Sequence, residues 1–283
     1  MELEAYQRLA PESFYTKFIS QKIRPDGRKL NDVRRVKIDI GVLPATAGSA
    51  IVLVGGTKVV AGVSLQVGQP ADATPQAGDM IISCTLTPLC SPKVPLNKQP
   101  DEAAALEHYI LQLLLRSKFL NYNDLCIVEG QSAWRLYVDV VCLNLEGNLL
   151  DAAVLAVVAA LKNTKLPATK TLEDGEVQLT SDPLTPLKLG LVPFPLSFGI
   201  FQDQVISDPS LLEEGLVNAR ITVARNKDGQ VCSVYKPGGC VLSGEKMNIC
   251  LELCRIHISY LEGLLDATLG SKNETQQSQQ SSI

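Results

Sequence analysis

The chain has 283 residues, and its 26 basic and 30 acidic side chains give it a formal net charge of −4. A hydrophobic share of 46% excludes global disorder, and the slight acidity argues against a protein that wraps duplex nucleic acid by bulk positive charge. The longest apolar run, 152–161, is shorter than the roughly 18 residues that a membrane span needs, and the charged start predicts no signal peptide.

Residues 1–30 predict a leading helix followed by a basic turn. Phe14, Phe18 and Ile19 recur at helical spacing, and the sequence Arg-Pro-Asp-Gly-Arg at 24–28 is typical of a turn. The leading segment is therefore expected to pack one apolar face before the first strand begins.

Residues 31–163 predict a first lobe with the element order β-β-β-β-α-β-β-α. Apolar and polar residues alternate from Val36 onward, as in half-buried strands, and Gly55-Gly56 suits a hairpin turn. The segment 149–163 predicts a helix that is apolar nearly all round, so we expect it to lie inside the molecule.

The second half of the chain predicts a shorter lobe of strands followed by a helix. Residues 164–187 are polar and contain prolines, which indicates a connector, and 188–270 form the second lobe. Ser243 is a candidate N-cap for the final helix, and the Gln/Ser-rich segment 271–283 predicts a disordered tail. The apolar stripe predicted for that helix is Ile249, Leu253, Ile256, Tyr260 and Leu264.

The eight cysteines and two histidines offer little for a metal or a catalytic triad. No two cysteines have the C-x-x-C spacing, and both histidines fall on predicted helices. Without a predicted export signal, the thiols are expected to be reduced, as in cytoplasm or nucleus. Cys250 and Cys254, one helical turn apart, are interpreted as packed apolar residues. We expect no metal and no cofactor.

Positive charge is concentrated between Lys17 and Lys37. Eight basic residues occur there against two acidic ones. This pattern favours a solvated face or pairing with acidic neighbours, and a surface for nucleic acid or a partner is the alternative.

The predicted strand-to-helix junction at 146–151 is a second candidate site. A helix start after a glycine turn can bind anions through its free N–H groups. Here the first turn contains Leu149, Leu150 and Asp151, and a carboxylate near an anion costs on the order of 1–4 kcal/mol. We therefore interpret Asp151 as the capping and dipole partner of the helix, and phosphate binding is not expected.

Asp208, Glu213 and Glu214 form an acidic group between two predicted strands. Clustered carboxylates can bind a divalent metal or act as an acid. An exposed acidic loop is the interpretation that we favour. By themselves, the residues indicate a two-lobed α/β chain with no assembled active site.

Several motifs in a fixed order then indicate a family. They are R-P-D-G-R at 24–28, G-S-A at 48–50, G-T-K-V-V at 56–60, D-L-C-I at 124–127, A-W at 133–134, L-Y-V-D at 136–139, G-N-L-L-D-A at 147–152 and A-L-K-N at 160–163. Over about residues 12–265 the chain resembles the RNase PH-type ring subunits of the eukaryotic RNA exosome. The motifs at 88–91, 236–239 and 242–244 resemble one subtype of these subunits.

The resemblance implies an α+β, two-layer RNase PH-like fold with two pseudo-repeated β-α-β-α lobes. It also implies partners: five further RNase PH-type subunits in a six-membered ring, RNA-binding cap subunits, an associated hydrolytic nuclease and RNA, without a membrane. The implied function is 3′-to-5′ RNA processing and decay, including rRNA maturation and mRNA turnover. The implied localisation is nucleus, nucleolus and cytoplasm.

The chain departs from catalytic members of the family where phosphate and RNA are held. The phosphate loop falls on 146–153, with its arginine position at about Leu150 and its hydroxyl positions at about Leu149 and Asp151. The segment 101–115, which brings RNA-holding arginines in active members, has none. The acidic positions remain as Asp208 and Glu214.

The resemblance with these departures implies a non-catalytic ring subunit with no catalytic residues. The alternatives are an active phosphate-dependent exoribonuclease and an RNA-binding adaptor outside any ring. Basic residues in and after the proline-rich loop 88–100 are candidates for backbone contacts with RNA. They are Lys93, Lys98, Arg116 and Lys118.

Overall fold

The computed structural model describes residues 2–92, 94–95, 98–171 and 177–280. It contains two lobes, each with a sheet and flanking helices, so the two-layer α+β arrangement is confirmed. Among the described residues, no helix is both long and apolar enough to cross a membrane.

Two short helices precede the first sheet where a single leading helix was predicted. They are α1 (Glu2–Leu9) and α2 (Pro11–Ser20). Pro11 opens α2, because proline lacks the N–H that would continue α1 but fits the first turn of a new helix. Phe14 and Ile19 of α2 pack with Phe201 of the second lobe.

The first lobe has the predicted order of elements. They are β1 (Val36–Ile40), β2 (Gly48–Val54), β3 (Thr57–Gly68), β4 (Asp79–Leu86), α3 (Asp101–Arg116), β5 (Cys126–Val128), β6 (Ser132–Asn144) and α4 (Leu149–Asn163). The sheet order is β1-β2-β3-β6-β4, and β5 pairs with β6. All pairs are antiparallel except β4 with β6.

The segment predicted as a connector contains a β-hairpin. Its strands are β7 (Lys165–Thr171) and β8 (Val177–Pro186), which pair antiparallel. Leu179 is 57% and Leu184 is 50% exposed. A two-stranded hairpin with exposed faces needs no apolar alternation, so its sequence resembles that of a loop.

The second lobe is a four-stranded antiparallel sheet in the order β10-β9-β11-β12. Its elements are β9 (Phe194–Phe201), β10 (Gln204–Ser207), α5 (Leu211–Glu214), β11 (Ala219–Arg225), β12 (Val231–Tyr235) and α6 (Gly244–Gln280). Helix α4 packs on β2 and β3 of one sheet and on β9 of the other. Every residue from Asp151 to Leu161 is consequently buried, as its sequence predicted.

The final helix differs from its prediction in length and in orientation. It continues to Gln280 where a disordered tail was predicted from residue 271, and Lys, Glu and Gln in that segment favour helix. Its buried face is Cys250, Cys254, Ile258, Leu261 and Leu265. Three residues of the predicted stripe are about half exposed: Ile249, Ile256 and Tyr260. The helix has two apolar stripes, and periodicity alone does not rank them.

Candidate functional site

The β6–α4 junction is pressed against the second lobe. Gly147 has φ +90°, and a Cβ added there would overlap the backbone nitrogen of Leu211. The Leu211 N–H donates to the carbonyl of Glu146 at 3.0 Å. Asn148 follows with φ +53°, a left-handed conformation that asparagine tolerates better than most residues. The turn that would hold phosphate in an active relative is therefore a contact between lobes.

Asn148 connects the carboxylates at the junction. Its backbone N–H donates to Glu214 Oε1 at 2.6 Å. Its side-chain Nδ2 donates both to Asp151 Oδ2 at 2.8 Å and to Asp208 Oδ1 at 2.7 Å. The first amide that an anion would approach at this helix start thus already binds an anionic group of the chain.

Asp151 does not cap α4, contrary to the sequence interpretation. Its carboxylate accepts hydrogen bonds from the Ser197 N–H and the Ser197 hydroxyl, both at 2.7 Å, in addition to Asn148. Burial raises the pKa of Asp151 to about 6, although these hydrogen bonds oppose the shift. The side chain turns towards β9 because Ser197, 46 residues away in sequence, supplies two hydrogen-bond donors to the carboxylate.

Asp208 is only 1% exposed and is surrounded by donors. Arg34 donates to it from the backbone N–H at 2.8 Å, from Nε at 2.9 Å and from Nη2 at 2.8 Å. Arg28 adds a bond from Nη1 at 3.2 Å. Burial by itself raises the pKa of Asp208, but the hydrogen bonds and charge of Arg34 outweigh burial and keep the pKa below its usual value.

Arg24 and Glu213 form a fully buried ion pair beside Asp208. Arg24 is 0% and Glu213 is 3% exposed, and the guanidinium Nε donates to Glu213 Oε1 at 2.9 Å. Arg24 also donates to the carbonyls of Ser207 at 2.8 Å and Asp208 at 3.0 Å. The interpretation of an exposed acidic loop is wrong here. These arginines pair with acidic neighbours, which was the favoured interpretation of the basic stretch.

The cationic side chains at the junction, Arg34 and Arg220, already pair with the carboxylates of Asp208 and Glu214. Leu149 and Leu150 are half-buried against the core, and Arg34 also donates to the carbonyls of Glu146 and Gly147. Glu214 is a further carboxyl at the same turn, where it accepts from the Asn148 N–H. Burial raises its pKa as well. Within the described residues, no group of three or more His, Cys, Asp or Glu side chains is arranged to hold a metal ion. The arrangement joins the two lobes, and its carboxylates accept the donors of Asn148 and Arg34.

The candidate RNA contacts do not form one cluster in the described structure. Lys98 is exposed before α3, whereas Arg116 and Lys118 are exposed at its other end. A helix of 16 residues spans about 24 Å. Lys93 lies outside the described residues. These residues remain predicted contacts.

Sequence reasoning missed the residues that link the lobes. Arg34, Asn148 and Ser197 each bond to a carboxylate that is far away in the sequence. The one available signal was the excess of arginine before β1 together with unpaired acids after β10. That signal predicts pairing but does not identify which arginine meets which acid.

Comparisons with known proteins agree with this geometry. Domain 1 of the 3′ exoribonuclease family, RNase PH, matches residues 32–167, and domain 2 matches 192–255. The chain belongs to the RNase PH-type 3′ exoribonuclease family. The fold and family that its motifs predicted are thereby confirmed.

Relatives and solved structures of exosomes are similar to most of the chain. The exosome complex component Rrp42 of Methanothermobacter thermautotrophicus is 34% identical over 79% of this chain and 82% of its own length. The component rrp43 of Schizosaccharomyces pombe is 31% identical over 88% of this chain and 93% of its own length. An Archaeoglobus fulgidus exosome with RNA bound to the active site has a chain with TM-score 0.81 and 29% identity, over 89% of this chain and 96% of that one.

Proposed function

We propose that this RNase PH-type chain is a non-catalytic subunit of the RNA exosome ring. The observation that carries the proposal is that the chain occupies the donors of the junction itself. The Asn148 N–H donates to Glu214, and arginines surround Asp208. Phosphorolysis needs a bound phosphate, and here phosphate would meet Leu150 and the buried carboxyl of Asp151. An anion without compensating donors in such a site is strongly disfavoured.

The relatives support the assembly part of the proposal, since they are exosome complex components. The partners are the other RNase PH-type ring subunits, RNA-binding caps, an associated hydrolytic nuclease and RNA. Within the ring, this subunit buries interface and shapes the RNA path during 3′-to-5′ processing of rRNA and turnover of mRNA. We place it in nucleus, nucleolus and cytoplasm, and in the Rrp43 subtype that its motifs resemble.

Exposed apolar side chains are consistent with neighbours in an assembly. Ile249, Ile256 and Tyr260 occupy one side of α6, and Val241 just before it is 93% exposed. Grouped apolar exposure of this kind is unusual for a lone protein and common at interfaces. We expect the chain alone to aggregate and co-expression with ring partners to rescue it.

The second candidate function is phosphate-dependent exoribonuclease activity. Its support is that a similar chain occurs in an exosome with RNA bound to the active site, and that Asp208 and Glu214 keep acidic positions. One experiment separates the two functions. The full chain is purified with co-expressed ring partners, its native mass is measured, and it is incubated with single-stranded RNA, inorganic phosphate and Mg²⁺.

We expect a ring of several subunits and no nucleoside diphosphate attributable to this chain. The matched pair is the wild-type complex and a complex with Glu214→Gln, which keeps the acceptor for Asn148 but loses the acid. Equal product from both complexes supports the structural role. Product that disappears with Glu214→Gln while the ring stays intact contradicts the proposal.

A further inference from the structure

A cavity lies in the first lobe, beside the loop between β3 and β4. Its volume is about 140 Å³, and none of its lining residues belongs to the β6–α4 junction. A cavity of roughly 150 Å³ holds one aromatic ring. Apolar surface from Pro70, Ala71 and Trp134 forms part of the wall, and Arg135 and Asp79 supply charge.

The loop that borders this cavity is anchored, so the cavity is preformed. The Gly78 N–H donates to the carbonyl of Tyr122 at 2.9 Å, and the Gly130 N–H donates to that of Pro75 at 2.9 Å. The side chain of Gln76 donates to Glu129 at 2.6 Å. A ligand therefore need not order the loop when it binds, which lowers the entropy cost of binding.

Arg135 and Asp79 face each other across the cavity wall but are not hydrogen-bonded to each other. They lie opposite each other on β6 and β4, and Arg135 Nε is 3.7 Å from Asp79 Oδ2, too far for a hydrogen bond. Arg135 Nε is itself buried and has no hydrogen-bond partner among the described residues, so no hydrogen bond joins it to Asp79. The opposite charges cancel, so the pair suits a neutral ligand with both donors and acceptors better than a phosphate.

Gly68 leaves part of the guanidinium of Arg135 uncovered. A Cβ added to Gly68 would lie 3.9 Å from Arg135 Cζ and 4.0 Å from Nη1, at ordinary contact distance. Any larger side chain there would extend over the guanidinium. Planar bases of single-stranded RNA stack on uncovered arginine planes and bond through their edges.

We propose that this cavity binds one unstacked nucleobase of single-stranded RNA and prefers guanine. Guanine offers two adjacent N–H donors for the carboxylate of Asp79, and its planar face can stack on the guanidinium of Arg135. The ring rests between the guanidinium and the apolar wall. The proposal rests on the proposed function, because a subunit of the exosome ring meets RNA.

Photocrosslinking tests the site in the assembled protein. The full chain, purified with co-expressed ring partners, is irradiated with a short RNA that carries one 6-thioguanosine, and the crosslinked peptides are mapped by mass spectrometry. We expect crosslinks in 68–79 and 133–135. Free guanosine monophosphate should suppress them at about tenfold lower concentration than the other three nucleoside monophosphates.

Two variants and one control assign the effect to the cavity. Gly68→Val covers the guanidinium and should lower the crosslink about tenfold or more for every base. Asp79→Asn keeps an acceptor but loses the carboxylate, and should remove most of the preference for guanosine monophosphate. Arg255→Gln removes an arginine from an exposed pair on α6 and should change neither result.

The outcomes separate this proposal from the proposed function. An intact ring with no crosslink in these segments, or with equal crosslinks in wild type and Gly68→Val, overturns the cavity proposal alone. Crosslinks of this RNA to a partner protein and none to these segments also overturn it. Failure of the proposed function appears differently, as a chain that assembles no ring.

Discussion

The β6–α4 junction and the cavity beside the β3–β4 loop both combine arginine with carboxylate, but only the junction is closed. At the junction, Arg34 bonds directly to Asp208, and Asn148 fills the remaining contacts. In the cavity, Arg135 and Asp79 stay 3.7 Å apart beside a glycine. An arginine and a carboxylate therefore hold the lobes together where they bond to each other. Where they do not bond to each other, they can bind a ligand.

Removal of Glu213 should have the largest effect on stability. Glu213→Ala leaves the guanidinium of Arg24 buried without its carboxylate, which should lower the free energy of unfolding by about 3–5 kcal/mol. Urea unfolding, followed by the fluorescence of Trp134, the single tryptophan, measures the loss.

An exposed pair provides the matched control. Glu252→Ala removes the acid that pairs with Arg255 on α6, where both side chains are about two-thirds exposed. Such pairs contribute about 0–1 kcal/mol. Similar losses for the buried and exposed variants would show that the junction does not hold the lobes together.

The pH dependence of stability should come mainly from Asp151 between about pH 4 and 6. Its pKa in the folded protein, about 6, lies above its unfolded value, so the folded state binds the proton more tightly. Stability is therefore highest below the unfolded pKa and falls by about 3 kcal/mol as the pH rises through 6. Asp208 acts in the opposite direction and only at lower pH, since its pKa is lowered.

Asp151→Asn tests this sign directly. The amide keeps one acceptor for Ser197 but cannot ionise, so the fall in unfolding free energy between pH 4 and 6 should shrink. Glu214, whose pKa is also raised, retains part of the slope. Asp203→Asn, at an exposed carboxyl, is the control. An unchanged slope in Asp151→Asn means that Asp151 does not titrate in this range.

A glycine pair isolates the contact between lobes from the backbone strain. Gly147→Ala combines a left-handed φ with overlap on Leu211, and should cost about 2–3 kcal/mol. Gly130→Ala has a similar φ of +71° with open space around the new methyl group, and should cost about 1 kcal/mol. Equal losses in urea unfolding would show that the junction tolerates a side chain.

The fold was largely predictable because its signals are local. Alternation predicted β1, the Gly55-Gly56 turn separated β2 from β3, and the apolar segment at α4 required a position between two layers. The hairpin β7–β8 was not predicted because none of its side chains that the structure describes is fully buried. The orientation of α6 escaped because Cys250 and Ile249 lie on neighbouring stripes of similar apolarity, and only the position of the sheets selects one.

The sequence predicted which residue types occupy the site, but it did not predict which side chains contact each other there. The residue types at 149–151 are enough to predict that phosphate lacks donors there, and that prediction belongs to the proposed function. The bond between Arg34 and Asp208 spans 174 residues, and no local pattern specifies it. For the same reason Asp151 was interpreted as a cap, because its partner Ser197 is distant in sequence.

The smallest expected effects concern the exposed lysines and arginine around α3. In the assembled complex, Lys98→Gln, Arg116→Gln and Lys118→Gln should each weaken RNA binding modestly. A true contact with a single-stranded backbone reduces the slope of log affinity against log salt by about 0.7. Lys246→Gln removes a lysine paired with Asp203 and is the control. Lys98 precedes α3 and Arg116 ends it, and the helix is about 24 Å long, so reduced slopes at both ends would trace one strand along the helix. An unchanged slope at one end would remove that end from the RNA path.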